Sequence, residues 1–417
     1  MKRCYLYIIM CNLLLAACGS GDDIPGSTTL NPNPGSTPIS GENQTMAFEA
    51  TMGTAFKGST RTPANEMNNT SLQTDGFGVF ACYTGLHGYS DSNVRPDFMY
   101  NQHVTYNDGH SAWEYTPVKY WPNGEGEVDG NTGSNKHYVS FLAYAPYSNE
   151  QNPDPVGNPA DYCIPSFCKQ GEIGNPWLTY RLHTDVTQQV DLLYAAHTNE
   201  HPILDWTKPE INTKVMFVFR HALGCVGDQV SVRLSTPLKN QVDNRVDGPI
   251  TQCKVEVTGF EIDYFLTSKA RLVLWNHGEA NWQTILSETP TCTRHVTLVD
   301  PNNNEDVVTV YEKNESSYSE RTEPWVGNGV YYIPIELANY TQTATVKLTY
   351  RVSTYNGSSW KKEFEKDGTA VIVLRDYGKA GEHIYINVSL NPMDISLTAA
   401  ISPWGDGGTV EVVGIEE

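Results

Sequence analysis

The sequence predicts an all-β protein made of two antiparallel β-sandwiches. Two stretches alternate apolar and polar residues with period two, which is the pattern of strands with one buried face. The apolar positions are Val346, Leu348, Tyr350 and Val352 in the first stretch and Ile384, Ile386, Val388 and Leu390 in the second. Only 18% of the 417 residues are charged, and 24 are Tyr. That composition favours a β-rich extracellular protein.

Turn-forming residues recur between the strand-like runs, as they do in sandwiches. These signals are Asn107-Asp108-Gly109, Asn123-Gly124, Asn328-Gly329, Asn356-Gly357 and Asp367-Gly368. Residues 192–196 and parts of 334–340 are the only candidates for short helices. Pro202 and Pro209 interrupt a polar stretch at 197–213. We therefore predict one sandwich over 46–205 and a second over 206–417.

The first 17 residues predict a secretory signal peptide. Lys2 and Arg3 precede an apolar run over 5–17, which is shorter than the roughly 20 residues of a membrane-spanning helix. The small residues before Cys18 resemble a bacterial lipobox, in which the Cys thiol is acylated and becomes the new N-terminus. The resemblance predicts a lipid-anchored protein outside the cytoplasm.

Residues 18–45 predict a disordered tether, because Gly, Pro, Ser, Thr and Asn dominate and leave little apolar surface to bury. Asp22 and Asp23 resemble the acidic signal with which Bacteroidetes-type bacteria export lipoproteins to the cell surface. A solvated acidic linker is the alternative. The net charge of −20 argues against nucleic acid and anionic lipid as partners.

Six cysteines remain beyond the signal peptide and the lipidation site. They are Cys82, Cys163, Cys168, Cys225, Cys253 and Cys292. Six cysteines allow 15 pairings in an oxidising compartment. A short loop with Pro165 separates Cys163 from Cys168, which makes them the candidate disulfide; buried thiols are the alternative.

No catalytic or cofactor motif is present, so we predict neither an enzyme, a cofactor nor a metal site. His197 and His201 lie four residues apart, but Pro202 follows and a solvated loop explains them better. Residues 300–306 begin like a calcium loop, yet Glu305 replaces the required Gly. An acidic hairpin tip explains that stretch better.

Four tryptophans could form a platform on which sugar rings stack. They are Trp113, Trp121, Trp177 and Trp206. Aromatic residues are also ordinary core material in sandwiches. The platform would make the chain a surface-exposed glycan-binding lipoprotein, which is the alternative function.

An ordered set of motifs behind the lipobox resembles the fimbrillin (Mfa-like) family of Bacteroidales type V pilus subunits. The motifs are Phe48, Thr60-Arg61-Thr62, 77–81 (FGVFA), 113–122 (WEYTPVKYWP), 139–147 (VSFLAYAPY), 191–195 (DLLYA) and 217–223 (FVFRHAL). The resemblance implies two transthyretin-like sandwiches in tandem. It also implies an outer-membrane lipoprotein precursor and assembly into a fimbrium.

The resemblance implies a processing step as well. An Arg-specific protease would cut between Arg61 and Thr62 and release the first strand, predicted over 46–56. A strand from a neighbouring subunit would fill the groove left behind. A surface Arg in a polar loop is the alternative, and Pro63 would stiffen the loop near the cut.

The C-terminus offers a candidate donor strand over 394–415. Ile395, Leu397, Ala399 and Ile401 alternate with smaller or polar residues, and Val410 and Val412 follow. This segment could equally be the last strand of its own sandwich. The irregular stretch 148–176 resembles an insertion, which favours a tip or accessory subunit with a role in adhesion over a stalk subunit.

Overall fold

The computed structural model describes residues 44–53, 66–122, 136–149, 158–209, 213–275, 278–285, 291–297, 307–326, 329–337, 340–376, 378–403 and 411–414. Within these ranges no helix has the length and apolar character needed to cross a membrane. The predicted signal peptide and almost all of the predicted tether lie outside them. Thr45, at the end of that tether, forms an antiparallel bridge with Tyr120.

Strands dominate the described chain. In chain order they are β1 (Phe48–Met52), β2 (Phe77–Gly85), β3 (Met99–Asn107), β4 (Ala112–Glu114), β5 (Tyr138–Ala145), β6 (Ser166–Phe167), β7 (Trp177–Arg181), β8 (Leu193–Ala195), β9 (Val215–His221), β10 (Gly224–Leu234), β11 (Gln252–Thr267), β12 (Lys269–Val273), β13 (Asn281–Gln283), β14 (Thr291–Thr297), β15 (Val308–Asn314), β16 (Tyr318–Glu320), β17 (Trp325–Val326), β18 (Val330–Tyr332), β19 (Thr343–Tyr355), β20 (Trp360–Val373), β21 (Glu382–Leu390), β22 (Ile395–Pro403) and β23 (Glu411–Gly414). The helices are α1 (Asn69–Asp75), α2 (Pro159–Cys163) and α3 (Thr236–Asp243), with 3₁₀ turns at Val186–Gln188 and Leu374–Asp376. The all-β prediction is confirmed.

The first pair of sheets has seven and four strands. Their orders are β1-β9-β8-β5-β2-β3-β4 and β13-β12-β7-β6. Phe167 of β6 packs on Phe80 of β2 and Tyr144 of β5, with ring centroids 5.8 and 5.3 Å apart. On the opposite face of the seven-stranded sheet, Trp113 packs on Phe77 at 4.9 Å. Apolar side chains therefore cover both faces of this sheet.

The second pair consists of two six-stranded sheets. One runs β17-β10-β21-β22-β23 with β18 also on β10, and the other runs β16-β15-β11-β19-β20 with β14 also on β11. Phe260 of β11 stacks on Trp325 of β17 across the interface, with ring centroids 6.1 Å apart. The Tyr350 hydroxyl of β19 donates to the carbonyl oxygen of Asn391, which precedes β22. These contacts close the second sandwich.

Among the described strands, two pairs are parallel, β1 with β9 and β10 with β21, and the other ladders are antiparallel. β9 follows the boundary predicted at 205/206, yet it pairs with β1 and β8 of the first sheet. β12 also pairs with β7 across that position in the chain. The division into domains at this residue stays a prediction.

The local predictions for strands, turns and short helices agree with the structure in some segments and differ in others. The alternating stretches 346–352 and 384–390 lie in β19 and β21 as predicted, and Asn356-Gly357 forms the turn between β19 and β20. The helix considered at 192–196 is wrong, because 193–195 is β8, buried between β5 and β9. The turn predicted at Asp367-Gly368 is also wrong. Both residues pair with β19 inside β20, and Gly368 lets Ile395 of β22 approach closely.

The acidic stretch 300–306 lies outside the described residues, but its flanking strands correct the hairpin prediction. β14 and β15 both pair with β11, one along Glu261–Thr267 and the other along Gln252–Val257. They occupy successive parts of the same long strand rather than pairing with each other within the described ladders. In a hairpin, β14 and β15 would pair with each other.

Candidate functional site

β1 lies at the end of the seven-stranded sheet and alternates its side chains between core and solvent. Phe48 is buried among three aromatic rings. Its ring centroid lies 5.2 Å from that of Tyr115, 5.6 Å from that of Phe141 and 5.4 Å from that of Phe217. On the outer face Glu49 forms an exposed ion pair with Lys214 at 2.7 Å. Packing of one aromatic side chain thus anchors the strand.

Backbone hydrogen bonds hold the start of this segment from two sides. The Met46 amide donates to the Lys119 carbonyl oxygen at 2.9 Å, and the Val215 amide donates to the Ala47 carbonyl oxygen at 2.9 Å. Five register pairs then join β1 to β9, from Phe48 with Val215 to Met52 with Phe219. The segment therefore occupies a slot with a backbone edge on either side of its first residues.

The chain leaves the slot at Gly53, whose amide donates to the Phe219 carbonyl oxygen at 2.8 Å. It re-enters the described structure at Glu66, and the Met67 amide donates to Asp191 Oδ2 at 3.1 Å. Asn68 then caps α1 by accepting hydrogen bonds from the Thr70 and Ser71 amides. The 54–65 segment between these points contains the predicted cleavage residues Arg61 and Thr62, which lie outside the described residues, as does Cys18.

Asp191 also links this region to β9. Its side chain is fully buried, and its Oδ2 atom lies 2.7 Å from His221 Nδ1. One carboxylate oxygen thus receives both the Met67 amide and an imidazole nitrogen. Asp191 belongs to the predicted 191–195 motif and His221 to the 217–223 motif. These two motif residues therefore meet at the carboxylate that holds the chain at Met67, just after the segment predicted to contain the cleavage site.

A second buried histidine–carboxylate pair lies in the neighbouring sandwich. His383 Nδ1 of β21 is 3.1 Å from Asp228 Oδ2 of β10. Burial lowers the pKa of His383, but the hydrogen bond to Asp228 and the negative charges of Asp228, Glu66 and Asp191 outweigh it and raise the pKa above 6.5. Sequence analysis missed this pair, because 155 residues separate its members.

A cleft of about 1280 Å³ opens where β1 ends. Met52 and Gly53 form part of one wall, and Arg220 and His221 continue it. The lining also includes 378–382, at the start of β21. The cleft therefore joins the end of the first strand to the loop between β20 and β21 of the second sandwich.

Cys163 and Cys168 are buried thiols in the structure, and the disulfide suggested between them stays a prediction. Cys163 ends α2, and burial raises the pKa of its thiol to about 11 against the smaller lowering effect of Arg181. Burial is the main cause of the raised pKa of the Cys82 thiol, and Cys168 adds a smaller electrostatic contribution. The two cysteines of the predicted pair thus have different neighbours.

The four tryptophans do not form an exposed platform. Trp113 and Trp121 are buried in the first sandwich, at 7% and 3% exposure. Trp206 is half-buried and stacks on Trp121, with ring centroids 6.1 Å apart. Trp177 is also half-buried, under the guanidinium of Arg271 at 3.8 Å. Trp113 and Trp121 are therefore core residues, and Trp177 and Trp206 lie at the edge of the core.

The two histidines of the 197–201 loop serve the backbone. His197 Nδ1 accepts a hydrogen bond from the Ile203 amide at 3.2 Å, and burial lowers the pKa of His197. The His201 carbonyl oxygen accepts from the Thr198 amide at 3.3 Å. These contacts close a loop, as the sequence analysis expected for residues 197–201.

C-terminal strand β22 lies inside its sheet. It pairs with β21 through nine register positions and with β23 through four. Ile395, Leu397 and Ala399 point into the second core and are buried. The candidate donor segment is thus the last part of its own sandwich in this structure, with β23 at the edge of the sheet.

No protein-family model matches the chain, and no curated protein sequence matches it. Among solved structures, a fimbrial protein from Bacteroides vulgatus is 21% identical, with a TM-score of 0.58 over 87% of this chain and 100% of its own. A protein with a proposed role in cell adhesion from Parabacteroides distasonis is 8% identical, with a TM-score of 0.40 over 87% of this chain and 98% of its own. The tip fimbrial protein Mfa3 from Porphyromonas gingivalis is 9% identical, with a TM-score of 0.29 over 80% and 96%.

Of these three, the Bacteroides vulgatus protein is the one with a TM-score above 0.5. The shared architecture extends over its entire chain. The resemblance to fimbrial proteins that the sequence motifs indicate is therefore confirmed at the level of the fold.

Proposed function

We propose that the chain is a structural subunit of a cell-surface fimbrium, that it assembles with other subunits by exchange of β-strands, and that it takes part in adhesion. The observation that carries the proposal is the position of β1. It is the terminal strand of its sheet, pairs with β9 alone among the named strands, and yet supplies Phe48 to the core. A fold similar to that of a fimbrial protein supports the same conclusion.

Removal of β1 would create a specific acceptor site. The rings of Tyr115, Phe141 and Phe217 would lose their contact with Phe48. The backbone edges of β9 and of 119–121 would lose their hydrogen-bond partners. Unpaired edges beside an apolar slot favour the addition of an extended segment from another chain. Burial of one large aromatic side chain there contributes about 1.5–3 kcal/mol.

Cleavage between Arg61 and Thr62 is the proposed trigger. The bond lies in the segment that joins β1 to α1, so a single cut would separate the first strand from the rest of the chain. Asp191 would still hold the Met67 amide after the cut. An Arg-specific protease is the proposed processing partner. The acylated Cys18 would keep the precursor in the outer membrane until then.

The proposed donor is the C-terminal segment 394–415. β23 is its most accessible part, since it is the edge strand of its sheet and pairs with β22 at four positions. Its transfer to a neighbouring subunit would break fewer hydrogen bonds than transfer of β22, which is paired on both sides. We place the subunit at a tip or accessory position, with the stalk as the alternative, because the stretch 148–176, which contributes α2 and β6, resembles an insertion between β5 and β7.

Substitution of Arg61 tests the proposal. The full precursor, Arg61→Ala and Arg95→Ala would be expressed in cells that carry the fimbrial system, and sheared surface material would be separated by size. Arg95 is an exposed loop arginine and serves as the matched control. We expect wild type and Arg95→Ala in high-mass fibres with Thr62 as N-terminal residue, and Arg61→Ala as a lipid-bound monomer.

The same material distinguishes the alternative function. A glycan-binding lipoprotein would stay monomeric in all three forms and would bind polysaccharide without cleavage. That result would overturn the assembly proposal.

A further inference from the structure

Three side chains with metal-ligand chemistry converge between β10 and β21. Cys225 and Asp228 belong to β10, and His383 of β21 lies opposite Cys225 in the parallel register. The Sγ atom, a carboxylate oxygen and an imidazole nitrogen lie within 4.8 Å of one another. All three residues are buried, at 0%, 3% and 7% exposure.

A bulge in β10 places the side chains of Cys225 and Asp228 on the same face of the sheet. Residues three apart in a regular strand point to opposite faces of the sheet. The register with β21 shifts between Val226 and Val230, and Gly227 takes a φ of +76°. This conformation favours glycine and inserts the extra residue that turns Asp228 back toward Cys225. A side chain at Gly227 would also collide with the Tyr264 hydroxyl.

One oxygen of the buried Asp228 carboxylate accepts no hydrogen bond from the described residues. Oδ2 lies 3.1 Å from His383 Nδ1. Oδ1 is buried and has no hydrogen-bond partner among the residues the structure describes. A buried carboxylate oxygen without a partner is costly, so native structures satisfy nearly all such atoms. A bound cation would supply the missing partner.

The ligand set selects the kind of cation. Thiolate, imidazole and carboxylate together suit Zn²⁺ and related transition metals, whereas Mg²⁺ and Ca²⁺ prefer oxygen ligands alone. Ligands about 2.0–2.3 Å from a tetrahedral Zn²⁺ lie about 3.3–3.8 Å from each other. Small side-chain movements within the 4.8 Å group would therefore close a site.

The surrounding charge favours a cation as well. The carboxylates of Asp228, Glu66 and Asp191 all interact electrostatically with the Cys225 side chain. Their combined negative potential attracts a divalent ion. Binding of the ion displaces the thiol proton to solvent, and the thiolate and the Asp228 carboxylate together balance its two positive charges.

We propose that Cys225, Asp228 and His383 bind one divalent transition-metal ion of the Zn²⁺ class, which ties β10 to β21 inside the second sandwich. Three protein ligands leave one tetrahedral position for a water molecule or another protein atom. Because the site is buried, the ion enters while the sandwich folds. The competing explanation is a buried histidine–carboxylate pair beside a neutral thiol.

Cobalt substitution tests the proposal on the wild-type chain. The mature chain would be unfolded with a chelator present, refolded with Co²⁺ and freed of excess metal by gel filtration. We expect one Co²⁺ per chain and a near-ultraviolet thiolate-to-cobalt charge-transfer band. Refolded wild-type protein without bound cobalt, or with cobalt but no thiolate band, would overturn the proposal.

Two variants locate the ion. Cys225→Ser should lose the thiolate band, and Cys253→Ser should keep it. Cys253 is a buried thiol of β11 that lies outside the Cys–Asp–His group of the described residues. Zn²⁺ should raise the thermal unfolding midpoint of wild type and Cys253→Ser, and should leave that of Cys225→Ser and Asp228→Asn unchanged. A band or a stabilisation that survives Cys225→Ser means binding elsewhere on the chain and contradicts the proposal.

Discussion

β1 and β22 are both candidate exchange strands, but they are held in very different ways. β1 has five residues, lies at the end of its sheet and is parallel to its one ladder partner, β9. β22 has nine residues and lies between two antiparallel partners. Loss of β1 opens one edge, whereas loss of β22 also removes β23 and uncovers β21. We therefore expect the first sandwich to stay folded without β1 and the second to lose its fold without β22.

Truncation at either end should give the largest effect and would test this comparison directly. A chain that ends at Asp394 lacks β22 and β23 and loses the buried side chains of Ile395 and Leu397, which contribute about 1.5–3 kcal/mol each. We expect no cooperative unfolding of the second sandwich in this chain. A chain that starts at Thr62 should still unfold cooperatively, at a lower urea concentration than the chain that starts after Cys18.

Urea titrations followed by near-ultraviolet circular dichroism would measure both transitions. Equal losses at the two ends would contradict the comparison, because they would mean that β1 supports its sandwich as much as β22 does. Limited proteolysis of the chain that starts at Thr62 would check that its remaining strands stay protected.

Phe48→Ala should give the next largest effect. Phe48 is 1% exposed and contacts three aromatic rings, so its truncation should lower the free energy of unfolding by about 3–5 kcal/mol. Phe265→Ala is the matched control, because Phe265 of β11 is 37% exposed and its loss should cost less than about 1 kcal/mol. Urea midpoints of the two variants give the measurement. A small effect of Phe48→Ala would mean that backbone pairing, rather than the aromatic anchor, holds β1.

The sequence reveals the strand pattern better than it reveals the sites. Period-two alternation is local, and it identifies β19 and β21 because one face of each is buried. Asp367-Gly368 wrongly predicts a turn, because the same dipeptide can lie inside a strand. Here Gly368 of β20 leaves room for Ile395 of β22. The Asp228–His383 contact depends on a bulge and on parallel pairing across 155 residues. Gly227 is a local signal for the bulge, but the parallel pairing has no local signal.

Glu256→Gln should have a moderate, pH-dependent effect in the second sandwich. Glu256 of β11 is buried and lies 2.8 Å from Arg351 Nε and 2.7 Å from Lys254 Nζ. Burial raises the pKa of Glu256, but the hydrogen bonds from Arg351 and Lys254 outweigh it and hold the pKa below 4.5. Hydrogen bonds to a charged group contribute about 1.5–3 kcal/mol, so we expect a loss near the lower end at pH 7.

The direction of the pH dependence follows from the lowered pKa. A carboxyl whose pKa is lower in the folded state stabilises that state above its unfolded pKa and loses this contribution as the pH falls through the folded pKa. The difference in urea midpoint between wild type and Glu256→Gln should therefore be full at pH 7 and shrink below about pH 4.5. A difference that stays constant down to pH 3 would show that the ion pairs are not its source.

Glu49→Gln should give the smallest effect and would complete the comparison at β1. The Glu49–Lys214 pair is 2.7 Å long, but its side chains are 36% and 49% exposed. Exposed ion pairs contribute about 0–1 kcal/mol, and salt screens them. We expect a urea midpoint close to that of wild type at low salt and no difference at 1 M salt. A loss comparable to that of Phe48→Ala would mean that charge holds the first strand in place, and an incoming strand would then need a matching carboxylate rather than an aromatic side chain.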